Sequence, residues 1–189
     1  MIRAVIFDFF GVLTVDPSME LKQLPDPQVA QAVAAANRAS DLGQIEHDEL
    51  MARLAAATGR PEAQIRTGFD HGVTLNQDLL ALVDQVHQQY KTGLLSNAGH
   101  TSLDPYISKP ELAKYFDVVV LSANVGLVKP DPTIYQLICK RLDVEPTEAI
   151  FIDDVERYAK GGEGIGLRGI HFLNIDQLRA ELGQIIDIN

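Results

Sequence analysis

Cysteine is nearly absent: Cys139 is the only one in 189 residues. That excludes an intrachain disulfide and suits a reducing compartment. Long apolar runs are missing too. Stretches such as 118–121 (VVVL) are far too short to cross a bilayer, so no membrane partner is expected. No basic leader precedes a cleavable apolar region. The N-terminal apolar segment runs straight into an acidic motif and reads as a strand, not a signal peptide. These absences lead us to expect a cytoplasmic protein. Positive charge is also scarce, with 16 Lys and Arg against 26 Asp and Glu, a net charge of −10 and no cluster of basic residues. Such a chain repels nucleic-acid phosphates, so no nucleic-acid partner is expected. A small phosphorylated molecule remains open as a substrate, because a divalent cation in a site reverses the local field. The sequence carries no signal of oligomeric state.

What is present is ordinary for a globular protein, with 46% hydrophobic and 22% charged residues. The length suffices for one well-buried core and a small inserted subdomain. Residues 3–8 (RAVIFD) form an apolar run that ends in an acid and empties into a turn at Phe9, Phe10 and Gly11. Between 15 and 78 strand-like alternation is lacking. Proline-marked loops lead into helical segments at 28–39, 45–57 and 61–69, the second closed by Gly59. After 78, strands and helices alternate. Strands are predicted at 92–96, 117–121, 149–153 and 168–173, with helices at 78–90, 109–115, 131–142, 155–163 and 175–182. This pattern specifies parallel β-α-β units, hence an α/β, doubly wound, Rossmann-like sheet. The expected division is a core of 1–14 and 79–189, with 15–78 as a small all-helical cap inserted after the first strand.

In such sheets the functional site lies at the carboxyl ends of the strands. Asp8 ends the first strand, and Ser96 and Asn97 end the second. Lys129 follows the third, and Asp153 and Asp154 end the fourth. Taken alone, each has a plainer explanation: a turn or capping acid, a turn-forming Ser-Asn, a surface lysine. Taken together, FDFFGVLT (7–14), LLSNAG (94–99), VKPDPTIY (128–135) and FIDD (151–154) resemble the haloacid dehalogenase-like hydrolase superfamily in order and spacing. The resemblance covers nearly the whole chain.

The resemblance implies the following chemistry. Asp8 is a covalent nucleophile. Ser96, with the Asn97 turn, holds the phosphoryl oxygens of the substrate. Lys129 neutralises nucleophile and phosphate together. Mg²⁺ is the expected cofactor, held by Asp8, the backbone carbonyl of Phe10 and the Asp153/Asp154 pair. Of that pair Asp154 is the direct ligand and Asp153 the supporting one. The expected function is hydrolysis of a small-molecule phosphate monoester through an aspartyl-phosphate on Asp8.

Position 10 departs from the family pattern. Phosphatases of this superfamily usually carry a second aspartate there, which protonates the leaving group; Phe10 does neither that nor water activation. An aromatic residue at this place is similar to the metal-independent 2-haloacid dehalogenase branch, in which Arg38 would be a candidate to hold a substrate carboxylate. The paired acids at 153 and 154 speak against that branch. A catalytically weak family member is the other alternative. His100, following the Ser96 loop, and His47, in the helical segment, are candidates to supply the missing acid–base group, His100 first. Cys139 and Phe9 read as packed core residues.

Overall fold

Short runs rich in Val, Ile, Leu and Phe make the strands β1 (Ala4–Phe7), β2 (Lys91–Ser96), β3 (Val118–Leu121), β4 (Ala149–Asp153) and β5 (Arg168–His171). In the computed structural model, which describes residues 1–70 and 74–188, they pair in parallel in the order β3-β2-β1-β4-β5. Every residue of β1 and β4 is buried. Strands covered on both faces need no polar alternation, which is why they read as continuous apolar runs.

Successive residues of β1 point to opposite faces and seed two cores. Val5 and Phe7 join Leu94 and Ile152 beneath α5 (Gln77–His87), α6 (Lys109–Tyr115) and α9 (Ile175–Leu182). Ala4 and Ile6 join Leu95 and Phe151 on the other face, against α7 (Pro132–Arg141). The helices start where the chemistry of their first residues predicts. Asn76 accepts from the N–H groups of Asp78 and Leu79 to cap α5. Asp131 accepts from Thr133 N–H to cap α7, whose first residue is Pro132.

Between β1 and α5 the described residues contain helices and no strand, as expected: α1 (Met19–Lys22), α2 (Pro27–Asp41), α3 (His47–Thr58) and α4 (Glu62–Asp70). They enclose an apolar cluster of their own that includes Val33, Leu50, Met51, Leu54 and Ile65. Residues 71–73 of the expected helical segment lie outside the described residues. The chain leaves the sheet and returns at one place, where Asn76 N–H donates to the Leu13 carbonyl at 2.8 Å. Beside it Thr14 Oγ1 donates to the Thr74 carbonyl at 3.3 Å.

Two local expectations change. The short helix α1 gave no sequence signal. The helix expected over 155–163 is α-helical only in α8 (Glu156–Ala159) and continues as a 3₁₀ turn, Lys160–Ile165. Close packing against α7 explains one glycine there: a Cβ on Gly161 would lie 2.3 Å from the Tyr135 hydroxyl. No helix among the described residues is long and apolar enough to cross a membrane.

Candidate active site

Strand register brings the first acids together. Phe7 pairs with both Leu94 and Ile152, so Asp8 lies level with Asp153 at the carboxyl edge of the sheet. The Asp8 N–H donates to the Ile152 carbonyl at 2.9 Å, which extends the ladder by one residue. Its Oδ1 accepts from Phe9 N–H at 2.7 Å, and its Oδ2 lies 2.9 Å from the Lys129 ammonium. That ammonium also donates to Asp153 Oδ2 at 2.6 Å and to the Leu95 carbonyl at 3.2 Å. A lysine has three donors, and here each has an acceptor. Lys129 is buried, only 2% exposed. Burial pulls its pKa down, but Asp8 and then Asp153 outweigh burial and hold it above the usual lysine value.

The paired acids divide their tasks. Asp153 is fully buried. One carboxylate oxygen faces Lys129, and the other accepts from Val155 N–H at 2.8 Å. Burial and the charge of Asp8 push it up to about 7, against the opposing pull of Lys129. The Asp154 carboxylate is pushed up to about 6, again by burial first and Asp8 second. No hydrogen bond from another described residue reaches it. Gly11 brings the backbone against this group: with φ +87°, a Cβ there would lie 2.2 Å from Asp154 Cγ. Asp8, Asp153 and Asp154 each offer an oxygen, and these atoms lie within 4.8 Å of one another. Three hard oxygen donors held together against their own repulsion fit a magnesium-type cation.

The remaining predicted residues take several positions. Ser96 is buried at the end of β2 and lines the same cavity as Asp8. Asn97 lines it too, but its amide is turned to scaffolding. Its Oδ1 accepts from Lys129 N–H at 2.8 Å, and its Nδ2 donates to the Lys129 carbonyl at 3.2 Å. The Ala98 N–H is likewise taken by Ser122 Oγ at 2.9 Å. Phe10 forms part of the cavity wall, its ring packed edge-on against Phe9 at 5.0 Å and Tyr106 at 5.7 Å. Of the two histidines, His47 lines the cavity, whereas His100 is bonded to Asn124 at 2.8 Å outside it. Arg38 is exposed and does not reach the cavity.

Residues 2–166 match the family model described as haloacid dehalogenase-like hydrolase. The chain belongs to this family. Among curated relatives, acyl-CoA dehydrogenase family member 10 of Mus musculus is 40% identical over 198 residues, covering 93% of this chain and 18% of that protein. The chain therefore spans less than a fifth of that relative's length. Phosphatase MT3486 of Mycobacterium tuberculosis (strain CDC 1551 / Oshkosh) is 27% identical over 185 residues, covering 93% of this chain and 76% of its own. The fold is shared with the HAD family enzyme BT-2542 of Bacteroides thetaiotaomicron, solved with magnesium and inorganic phosphate. That structure has a TM-score of 0.68 and 19% identity, over 94% of this chain and 99% of that one.

The haloacid dehalogenase-like motifs supply only part of the cavity lining. Asn37, Ser40 and Asp41 of α2 line the cavity too, together with Tyr106 and Tyr158. Their signal was a polar i, i+3, i+4 stripe on a helix otherwise rich in alanine. It is legible only once that face is known to meet the strand ends.

Proposed function

We propose that the protein hydrolyses a small phosphate monoester, with Asp8 as nucleophile. The observation that carries this is the Asp8 carboxylate 2.9 Å from a buried ammonium and beside two further acids, at the wall of a cavity. An Asp8 oxygen attacks phosphorus, and the bond from phosphorus to the alcohol oxygen breaks. The alkoxide leaves with the electron pair and takes a proton from solvent water, and an acyl phosphate remains on Asp8. Water then attacks phosphorus, giving up a proton to solvent, and the bond to Asp8 breaks, giving inorganic phosphate and the free carboxylate. Lys129 offsets the approach of one anion to another. Ser96, at the end of β2, is placed to donate to a phosphoryl oxygen. Asn97 acts by fixing the backbone from which Lys129 projects.

Mg²⁺ would be held by Asp8, Asp154 and the Phe10 carbonyl, with Asp153 in support; it would supply positive charge for the phosphoryl oxygens. Residues 15–78 act as a cap whose α2–α3 face closes the cavity and meets the leaving group. The lone cysteine, buried, fits a cytoplasmic enzyme. Phe10 favours a second reading, a slow family member, because its ring holds the place of the usual acid.

The test is a screen of sugar phosphates, nucleotides and aryl phosphates with and without Mg²⁺, using the wild type and Asp8→Asn. Mg²⁺-dependent turnover abolished in a folded Asp8→Asn variant is expected. Substantial turnover by that variant refutes covalent catalysis at Asp8. Halide release from 2-haloacids in the presence of chelator would favour the dehalogenase branch.

A further inference from the structure

Resting on that reading, we propose that Ser122 is a positioning residue: its hydroxyl fixes the turn that follows Ser96 and seats the end of α2 against it. The phosphoryl-binding turn and the α2 wall of the cavity are thereby set together.

The hydroxyl stands where three segments meet. Ser122 opens the 3₁₀ turn Ser122–Asn124 after β3 and is fully buried. Its Oγ accepts from Ala98 N–H at 2.9 Å and donates to the Asp41 carbonyl at 2.6 Å. A serine hydroxyl has one proton to give. The other acceptor within reach, the Ala98 carbonyl, is 3.4 Å away, so the shorter contact takes the proton. The Asp41 carbonyl is the last of α2, and the last carbonyls of a helix look outside it for donors. The result is a directed chain from the Ala98 amide through the Ser122 hydroxyl to the end of α2, in which each bond polarises the next.

The turn after Ser96 is held on both of its following residues. The Asn97 side chain bonds the Lys129 backbone. The Ala98 carbonyl accepts from Ala123 N–H at 3.2 Å, so both polar backbone atoms of Ala98 are bonded by residues 122 and 123. The fit of α2 against this knot is close. Gly43, just past the helix, has φ +68°, and a Cβ there would lie 2.7 Å from the Ala123 carbonyl oxygen and 2.9 Å from His100 Nε2. A Cβ on Gly99 would lie 2.8 Å from Ser40 Oγ. Ser40 and Asp41 line the same cavity as Ser96, Asn97 and Ala98. A shift at the end of α2 therefore reaches the Ser96 turn through one buried hydroxyl, and a shift of that turn reaches α2 by the same bond.

The experiment measures kcat and KM on p-nitrophenyl phosphate in Mg²⁺, with Mg²⁺ calorimetry and urea melts alongside. Ser122→Ala should lower kcat per folded molecule by about tenfold to 10²-fold, the scale of a displacement approaching 1 Å in a reacting site. Mg²⁺ affinity should hold, because the proposed ligands stand at the ends of β1 and β4. In the Ser96→Ala background the same substitution should cost a smaller factor, because the group it positions is gone. Gly43→Ala reaches the knot from the other side, pushing α2 off the turn while the hydroxyl stays. It should lower kcat too, whereas Gly59→Ala, with the same φ of +68° and nothing within 4 Å of its Cβ, should not. If Ser122→Ala does not fold, the Gly43→Ala and Gly59→Ala pair decides. An unchanged kcat in folded Ser122→Ala, equal factors with and without Ser96, or equal kcat in the two glycine variants overturns the inference. Each of these leaves the phosphatase reading standing, since the wild type then hydrolyses p-nitrophenyl phosphate. If the wild type hydrolyses no ester, the phosphatase reading fails and this inference fails with it.

Discussion

Replacing Gly11 with alanine puts a methyl group into the place where the turn after β1 meets the Asp154 carboxylate. The new Cβ would lie 2.2 Å from Asp154 Cγ and Oδ2, and ordinary contact begins near 3.4 Å, so the carboxylate must retreat by about 1.2 Å or the turn must open. The turn is tied by Gly11 N–H to the Thr14 carbonyl at 2.6 Å, which makes movement of the acid the easier response. A displacement of about 1 Å in a reacting site costs roughly 10²-fold in rate. The positive φ adds a separate backbone cost of about 1–2 kcal/mol for any L-residue. Gly59→Ala separates the two effects, because Gly59 also has positive φ (+68°) but nothing within 4 Å of its Cβ. Mg²⁺ affinity by calorimetry, kcat/KM on p-nitrophenyl phosphate and urea melts should be measured on both variants. Both should lose similar stability, while Gly11→Ala alone loses Mg²⁺ affinity and about 10² in kcat/KM. A folded Gly11→Ala variant with wild-type Mg²⁺ affinity would show that Asp154 is not a ligand.

Lys129→Met removes the cation between Asp8 and Asp153 and should destabilise the fold by about 3–5 kcal/mol, as breaking a buried ion pair does; an unchanged urea midpoint contradicts this. Phe10→Asp places a carboxyl where the family's acid stands, so alkyl phosphates should gain over p-nitrophenyl phosphate by at most about 10²–10⁴. No relative gain would mean that leaving-group protonation is not the bottleneck. In chelator, stability should fall as pH rises from about 4 through about 7. Over that range the unfolded chain has released protons that Asp153 and Asp154, raised from 3.8 to about 7 and about 6, still hold when folded. Mg²⁺ affinity should rise over the same range as these acids ionise; melts and titrations independent of pH would refute both statements.

The strand ends were legible because each apolar run stops at a polar residue, and parallel topology sends all such ends to one edge. Asp8, Ser96, Asp153 and Asp154 needed no more than that to be grouped. The task of Asn97 did not follow, because it depends on β2 and β3 being neighbours, which no local pattern states. Lys129 was legible as a site residue through the family resemblance alone, since its environment is assembled from Asp8, Leu95 and Asp153, all distant in sequence. The histidines show the same limit. His100 is nearer in sequence to Ser96, yet its ring is held by Asn124, while α3 carries His47 to the cavity. Helix-forming residues between 15 and 70 specified helices but not which face would meet the strand ends.

The two short crossings, Leu13–Thr14 and Thr74–Asn76, run side by side and share hydrogen bonds. From the standpoint of the sheet, everything between them is a single closed loop. The entropy of closing a loop grows only with the logarithm of its length, so that doubling it adds about 0.6 kcal/mol. Helices can therefore be lengthened, added or exchanged within that loop while β1 and its neighbours keep their register. Under the proposed reading, the wall that meets the leaving group is free to diverge, while the groups that break the phosphorus–oxygen bond stay anchored to the strands. New specificities can arise on this scaffold without rebuilding its chemistry.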